Sequence, residues 1–207
     1  MINVEKVEVN GFEAAIRGMR NPMNSWDKSD SEWEYPWLHI GDADLKLMQQ
    51  LYKAGTDHRK FMRMITVTMD ITAPTFWWAE FDTYKVATVR NSCSKMHKIH
   101  VKPFELSDFT HDGCDKVPYA MIALEQVIQT CEKLRKDFNE TQNKDYWRAL
   151  IELLPEGFNL KATVFLNYET CANMRRSRKS HKLFEWPKLC EIFDAMPHFK
   201  DIIGEAE

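Results

Sequence analysis

LLPEGFNLKATVFLNYETCANMRRSRKSHKLFEW, residues 153–186, is the stretch on which the fold turns. Pro155 lacks a backbone N–H and ends the helical pattern before it. Residues 161–166 then read as a short strand that delivers Asn167 at its end. The helix that follows carries Arg178 about three turns on. An amide at a strand end and a guanidinium on the next helix can converge on one planar, polar ligand. Arginine supplies a rigid fork of donors for a carbonyl, carboxylate or phosphate.

Within the same stretch, Arg175-Arg176-Ser177-Arg178-Lys179-Ser180-His181-Lys182 forms a basic cluster. It reads either as a solvated helix end, where cations suit the dipole, or as an anion site for a nucleotide phosphate or nucleic acid. Glu185 stands where it can orient one arginine. A last helix is predicted over 186–196, with Pro187 at its start and Pro197 past its end. Two helices precede the stretch, over 117–138 and 145–154. The first should bury Ala120, Ile122, Ala123, Val127, Ile128, Cys131 and Leu134 on one side.

Further toward the N-terminus, residues 1–20 predict a strand and a short helix. Residues 21–36 have no period. With Trp26, Trp33 and Tyr35, and Trp37 just beyond, they read as an ordered loop pinned by its rings. Leu45, Met48, Leu51 and Tyr52 give a helical period over 42–54, stopped by Gly55. Over 61–71, Ile65, Val67, Met69 and Ile71 alternate with Met64, Thr66, Thr68 and Asp70, which predicts a strand. Pro74 opens a helix carrying Phe76, Trp77, Trp78 and Phe81. Residues 86–94 are small or polar, and 103–114 read as loop. The pattern is α+β, with few strands and many helices, in a single domain over 1–207 with a helical segment at about 115–155.

A 44% hydrophobic content is enough for a substantial core, and a net charge of -3 argues against a protein built to wrap nucleic acid. No apolar run approaches a membrane span, and the first residues lack the apolar core of a signal peptide. The five cysteines are widely spaced, with no Cys-x-x-Cys pair, so free thiols in a reducing cytoplasm are expected. No glycine-rich dinucleotide or P-loop motif and no nucleophile elbow occurs. His97 and His100 fall in a strand-like stretch that would aim them at opposite faces, which speaks against a metal site. His58, after the Gly55 stop, is either a solvated loop histidine or a donor at a pocket rim.

The order and spacing of these residues resemble the flavin-dependent thymidylate synthase family in a divergent form. In that family a Leu-Pro pair is followed by a strand ending in a functional asparagine, then by a helix leading to an arginine, a histidine and a glutamate. Leu154-Pro155, Asn167, Arg178, His181 and Glu185 stand here in that order, the first two spacings without gaps. Asp57-His58 stands at the family's Gly-His turn, Ala73-Pro74 at its strand-ending Ala-Pro, and Glu80 at a glutamine. The family signature Arg-His-Arg-x-x-Ser-x-Asn-x-x-Ser-x-Arg-Tyr is altered. Thr83-Tyr84-Lys85 replaces Arg-His-Arg. One register puts Thr88 at the first serine and Lys95 at the last arginine. The other puts Asn91 and Ser94 at Asn-x-x-Ser and His97 at the tyrosine.

The resemblance implies an antiparallel sheet flanked by helices and a homotetramer with flavin sites between subunits. It implies transfer of a one-carbon unit from methylenetetrahydrofolate to C5 of a pyrimidine deoxynucleotide, dUMP to dTMP. FAD, with FMN as the alternative, would supply hydride and NADPH would be the reductant. Arg178 would be catalytic and bind the pyrimidine, together with Glu80, Ser94 and Lys95. His58, Tyr84, Lys85, Asn91, Asn167 and His181 would hold the flavin. No metal, membrane or nucleic-acid partner is implied. The alternatives are a same-fold enzyme with a hydroxymethyl product or dCMP as substrate, and a non-catalytic nucleotide- or nucleic-acid-binding relative without flavin.

Overall fold

A computed structural model describes residues 2–34 and 37–204. Tyr35, Pro36 and the ring of Trp37, assigned from sequence to a ring-pinned region, lie outside the described residues, as do Met1 and 205–207. The chain runs β1 (Asn3–Asn10), α1 (Phe12–Arg20), β2 (Glu32–Glu34), β3 (Trp37–His39), α2 (Asp42–Lys53), β4 (Thr66–Pro74) and α3 (Thr75–Phe81). It continues through β5 (Val89–Ser92), α4 (Lys95–Lys98), α5 (Pro118–Thr141), α6 (Lys144–Leu153), β6 (Asn159–Asn167), α7 (Tyr168–Arg178), α8 (Glu185–Asp194) and α9 (Phe199–Ile203). The class is α+β, with an antiparallel sheet in the order β1-β4-β6-β5 and a separate β2-β3 pair. Strands β4 and β6 carry the sheet. Val67, Met69, Ile71 and Ala73, and likewise Leu160, Ala162, Val164 and Leu166, alternate as its buried residues.

The fold divides into two compact units, one of 1–3, 71–84 and 90–163, the other of 4–70, 85–89 and 164–207. In the second unit, residues 59–63 form a 3-10 turn and β4 begins only at Thr66, later than the alternation suggested. Phe61 and Met62 are both buried, and a pleated strand cannot send consecutive side chains to one core. Gly11 starts α1 with φ 96°, and a Cβ there would lie 2.1 Å from the Met64 carbonyl oxygen. Only glycine fits that approach.

Among the described residues, Trp26 and Trp33 are each 53% exposed, and Trp26 Nε1 donates to Asn21 Oδ1 at 2.8 Å. Polar bonds hold this segment. The carboxylate of Asp44, fully buried, accepts from Arg20 Nε at 2.6 Å, Ser29 Oγ at 2.6 Å and Ser31 Oγ at 2.7 Å. Burial raises its pKa, but the hydrogen bonds from Ser29, Ser31 and Arg20 outweigh that and hold it below the usual carboxylate value. Asp30 in turn accepts from the N–H groups of Ala43 and Asp44 and satisfies the start of α2. Helix α8 is not the last. His198 adopts a left-handed φ of 54° after Pro197, and α9 begins beside it. Tyr168 donates to the Pro197 carbonyl at 2.7 Å, and its ring meets Phe199 edge-on at 5.2 Å.

In the first unit, α5 and α6 close on a small core of Ile99, Cys131 and Leu150, with Phe104, Val127, Leu134 and Trp147 partly buried around it. On α5, Ile128 and Cys131 are the buried residues. Ile122 and Ala123, expected inside, are exposed. Residues 95–98 are a single helical turn capped by Ser94, not a strand, so the predicted opposite-face placement of His97 and His100 does not apply. Among the described residues no group of three or more His, Cys, Asp or Glu could hold a metal ion.

Candidate functional site

Asn167 ends β6 in extended geometry and caps α7, its Oδ1 accepting from Thr170 N–H at 2.9 Å. Asparagine is a preferred residue there because its side chain satisfies a helix-end donor that would otherwise be orphaned. The residue is 5% exposed. Its cap uses the amide oxygen; its two N–H donors take no part in the cap.

In the first turn of α7 lies a feature that sequence spacing does not reveal. Glu169, 8% exposed, accepts from Arg59 Nε at 3.0 Å and from Arg63 Nε. Arg59 is itself buried, stacks over Tyr52 at 5.3 Å and reaches Asn173 Oδ1 at 3.2 Å. Burial raises the Glu169 pKa, but the hydrogen bonds and charges of Arg63 and Arg59 outweigh it and keep the carboxyl below its ordinary value. His58, singled out from sequence, is exposed just before these arginines. The charged side chain drawn into the interior is its neighbour Arg59, while Arg63 reaches Glu169 from the surface.

Arg178 is the last residue of α7, where a cation suits the dipole. Its Nη1 lies 2.8 Å from His181 Nε2, and its guanidinium sits 4.8 Å over the Trp186 ring. A guanidinium has donors only, so His181 Nε2 is the acceptor. Glu185, 1% exposed, opens α8 immediately before Trp186. Arg175 pairs with Asp194 at 2.5 Å and ties α7 to α8, while Arg176 is exposed and reaches only Asn173, at 3.2 Å, among the described residues. Arg175 is therefore a structural residue.

Five of the ten predicted site residues lie in the second unit: His58, Lys85, Asn167, Arg178 and His181. Of these, Arg178 and His181 touch, and Asn167 stands at the other end of the helix that carries Arg178. Lys85 is exposed just before a turn. The other five lie in the first unit. Glu80 and Tyr84 are half-buried, and Asn91 is exposed on β5. Ser94 caps α4, accepting from His97 N–H at 3.2 Å, and Lys95 begins that helix.

Sequence reasoning passed over Arg90. It sits 4.9 Å over the Trp78 ring and pairs with Asp82 at 3.1 Å. With Ser94, Lys95 and Glu156 it lines a cavity of about 430 Å3. The altered signature segment thus still carries an arginine in a concave place.

No protein-family model and no curated protein matches this sequence. Solved structures do match. Thymidylate synthase X (ThyX) from Helicobacter pylori, solved with FAD and dUMP, superposes with a TM-score of 0.74 at 17% identity over 99% of this chain and 98% of that one. A second structure, of the flavin-dependent thymidylate synthase ThyX from Helicobacter pylori complexed with FAD and dUMP, gives 0.74 at 17% identity over 98% of each chain. The fold is thus that of the flavin-dependent thymidylate synthases along nearly the whole chain.

Proposed function

We infer that this protein is a flavin-dependent one-carbon transferase acting on a pyrimidine deoxynucleotide, with dUMP-to-dTMP conversion as its reaction. The observation that supports this most is the β6–α7 junction. Asn167 caps the helix and Arg178 closes it, as the family resemblance requires, in a chain whose fold matches that family from end to end. Arg178 is pre-oriented by His181 and Trp186, so its fork loses less freedom when it meets a ligand.

In this reading Arg178 binds the uracil edge and stabilises negative charge as it develops on the ring. The family resemblance also assigns Glu80, Ser94 and Lys95, residues of the first unit, to the nucleotide. The donor set fits a flavin: the buried Asn167 N–H groups suit a ring carbonyl, and His58, Tyr84, Lys85, Asn91 and His181 offer further polar contacts. Bound flavin would supply the hydride, with methylenetetrahydrofolate giving the carbon and NADPH the reducing equivalents. A homotetramer would bring residues of several copies to each flavin.

A second reading, a nucleotide-binding relative without flavin, gains support from Glu169. That carboxylate occupies both arginines nearest His58, leaving fewer cations for a flavin pyrophosphate. Titration with FAD separates the two. The first reading expects oxidised-flavin absorption bands on the protein that bleach with a reductant. Protein that stays colourless and gives no flavin signal supports the second.

A further inference from the structure

Two exposed surfaces of the second unit carry opposite charge. The first is an arm, residues 21–34, with Asp27, Asp30, Glu32 and Glu34 against one cation, Lys28. Its base is fastened. Ser29 and Ser31 donate to the buried Asp44 carboxylate, Arg20 donates to the Ser25 carbonyl at 3.2 Å, and Trp26 is tied to Asn21. Asp30 is occupied at the start of α2. The outer residues are open. Met23, Trp26, Asp27, Glu32 and Glu34 are all exposed. Glu32 and Glu34 share one face of β2, with Trp33 on the other. A fastened arm loses little freedom on docking, and tryptophan is a preferred anchor of interfaces.

The second surface is the corner between α7 and α8. From Arg175 to Phe184 the chain carries five lysines and arginines and no carboxylate. Arg175 is committed to Asp194, and Arg178 to His181 and Trp186. Arg176, Lys179 and Lys182 are exposed. Arg176 and Lys179 stand three residues apart and so are neighbours on one helix face. Phe184, also exposed, follows them. Arm and corner do not meet within one chain: Asp27, Glu32, Glu34, Lys179 and Lys182 form no ion pair among the described residues. A second copy offers each surface its complement.

We propose that the Glu32–Glu34 face of the arm docks on Arg176, Lys179 and Lys182 of a second copy of this chain, with Met23 and Trp26 as the apolar anchor. The contact is reciprocal across a two-fold axis, arm to corner and corner to arm. Arg178 ends the helix that carries Arg176, so the docked arm borders the proposed substrate arginine of the other copy. The interface rests on the self-association in the proposed function, but not on flavin or substrate. Exposed ion pairs strengthen an interface little, whereas facing like charges suppress it strongly. Charge reversal is therefore the sharp test.

Sedimentation velocity of the full chain at micromolar concentration, without ligand, reads the assembly. E32K/E34K sets a cationic arm against a cationic corner, and K179E/K182E an acidic corner against an acidic arm. Each protein alone should need at least about tenfold more protein than wild type to associate, while circular dichroism shows both folded. Mixed one to one, they should associate as wild type does. The cationic arm of one then meets the acidic corner of the other, and the remaining arm and corner are unchanged. K133E/K144E makes the same charge change on exposed lysines of the first unit and should associate as wild type. Trp26→Ala should weaken association about tenfold. A monomeric wild type, a reversed protein or Trp26→Ala that associates as wild type, no association in the mixture, or weakened association in K133E/K144E would each overturn the interface. A wild-type tetramer that both reversals leave intact removes this interface alone; flavin bands on the protein test the proposed function separately.

Discussion

At the residue scale, Arg178 and Asn167 carry different kinds of risk. Arg178→Ala removes a donor fork, and its expected cost to dUMP or dCMP binding is about 2–3 kcal/mol. Arg178→Lys should fail too, because an ammonium cannot reproduce the planar fork. Arg176→Ala is the control. Arg175→Ala would break the link to Asp194 and is not one. Calorimetric titration of both nucleotides reads this out, and unchanged binding by Arg178→Ala would remove Arg178 from the site. Asn167→Ala should lower stability by about 1 kcal/mol through loss of the cap. Asn167→Ser keeps a capping oxygen but not the amide donors, so thermal unfolding should stay near wild type while flavin affinity falls.

Glu169 makes a pH-dependent contribution. Its folded pKa is lowered by the Arg63 and Arg59 hydrogen bonds, below an unfolded value of about 4.3. Its stabilisation is therefore present above that value and is lost as pH falls through the folded pKa. Glu169→Gln should cost about 3 kcal/mol at neutral pH by leaving buried Arg59 unpaired. Denaturant titrations should show a flatter loss of stability below pH 4 in that variant. The place of Arg178 at the end of α7 was legible from sequence because proline, asparagine and arginine lie in one continuous stretch. Glu169 and Arg59 were not, because 110 residues separate them and no local pattern links a carboxylate to a guanidinium so far away.

At the scale of elements, periodicity found the longer helices and strands and misjudged their edges. Strand β4 was clear from alternating Val67, Met69 and Ile71, yet its start was obscured by Phe61 and Met62, apolar residues that belong to a turn. Strand β5 lacked apolar alternation and was read only as a polar stretch. The one-turn helix at 95–98 is too short for a period to appear and depends on the Ser94 cap. The segment after it is fastened by Glu132 of α5. That carboxylate accepts two 2.7 Å bonds from Arg135 and one at 3.1 Å from the Phe104 N–H. The Arg135 hydrogen bonds above all hold the Glu132 pKa down to about 2. Its stabilisation is complete above the unfolded pKa and is lost as pH falls toward about 2. Glu132→Gln should speed amide exchange at 100–104 at neutral pH; wild-type exchange in this variant would show that other contacts fix the segment.

At the scale of the whole molecule, the fold class followed from helices outnumbering strands around two alternating segments. The likeness to solved structures then extends over nearly the full chain at 17% identity. Such a fold can outlast its chemistry, because packing needs only apolar residues of suitable size, whereas a site needs particular groups. If the flavin site is shared between copies, light scattering at micromolar concentration should give a homotetramer; a monomer would leave each site incomplete. The central claim is one-carbon transfer to C5, which requires the C5–H bond to break. Tritium release from dUMP labelled at C5 tests it most directly, with the full chain, FAD, methylenetetrahydrofolate and NADPH together. The account predicts release to water that stops when FAD or methylenetetrahydrofolate is left out and is lost in Arg178→Ala. No release from labelled dUMP or dCMP by protein that has bound FAD would contradict it.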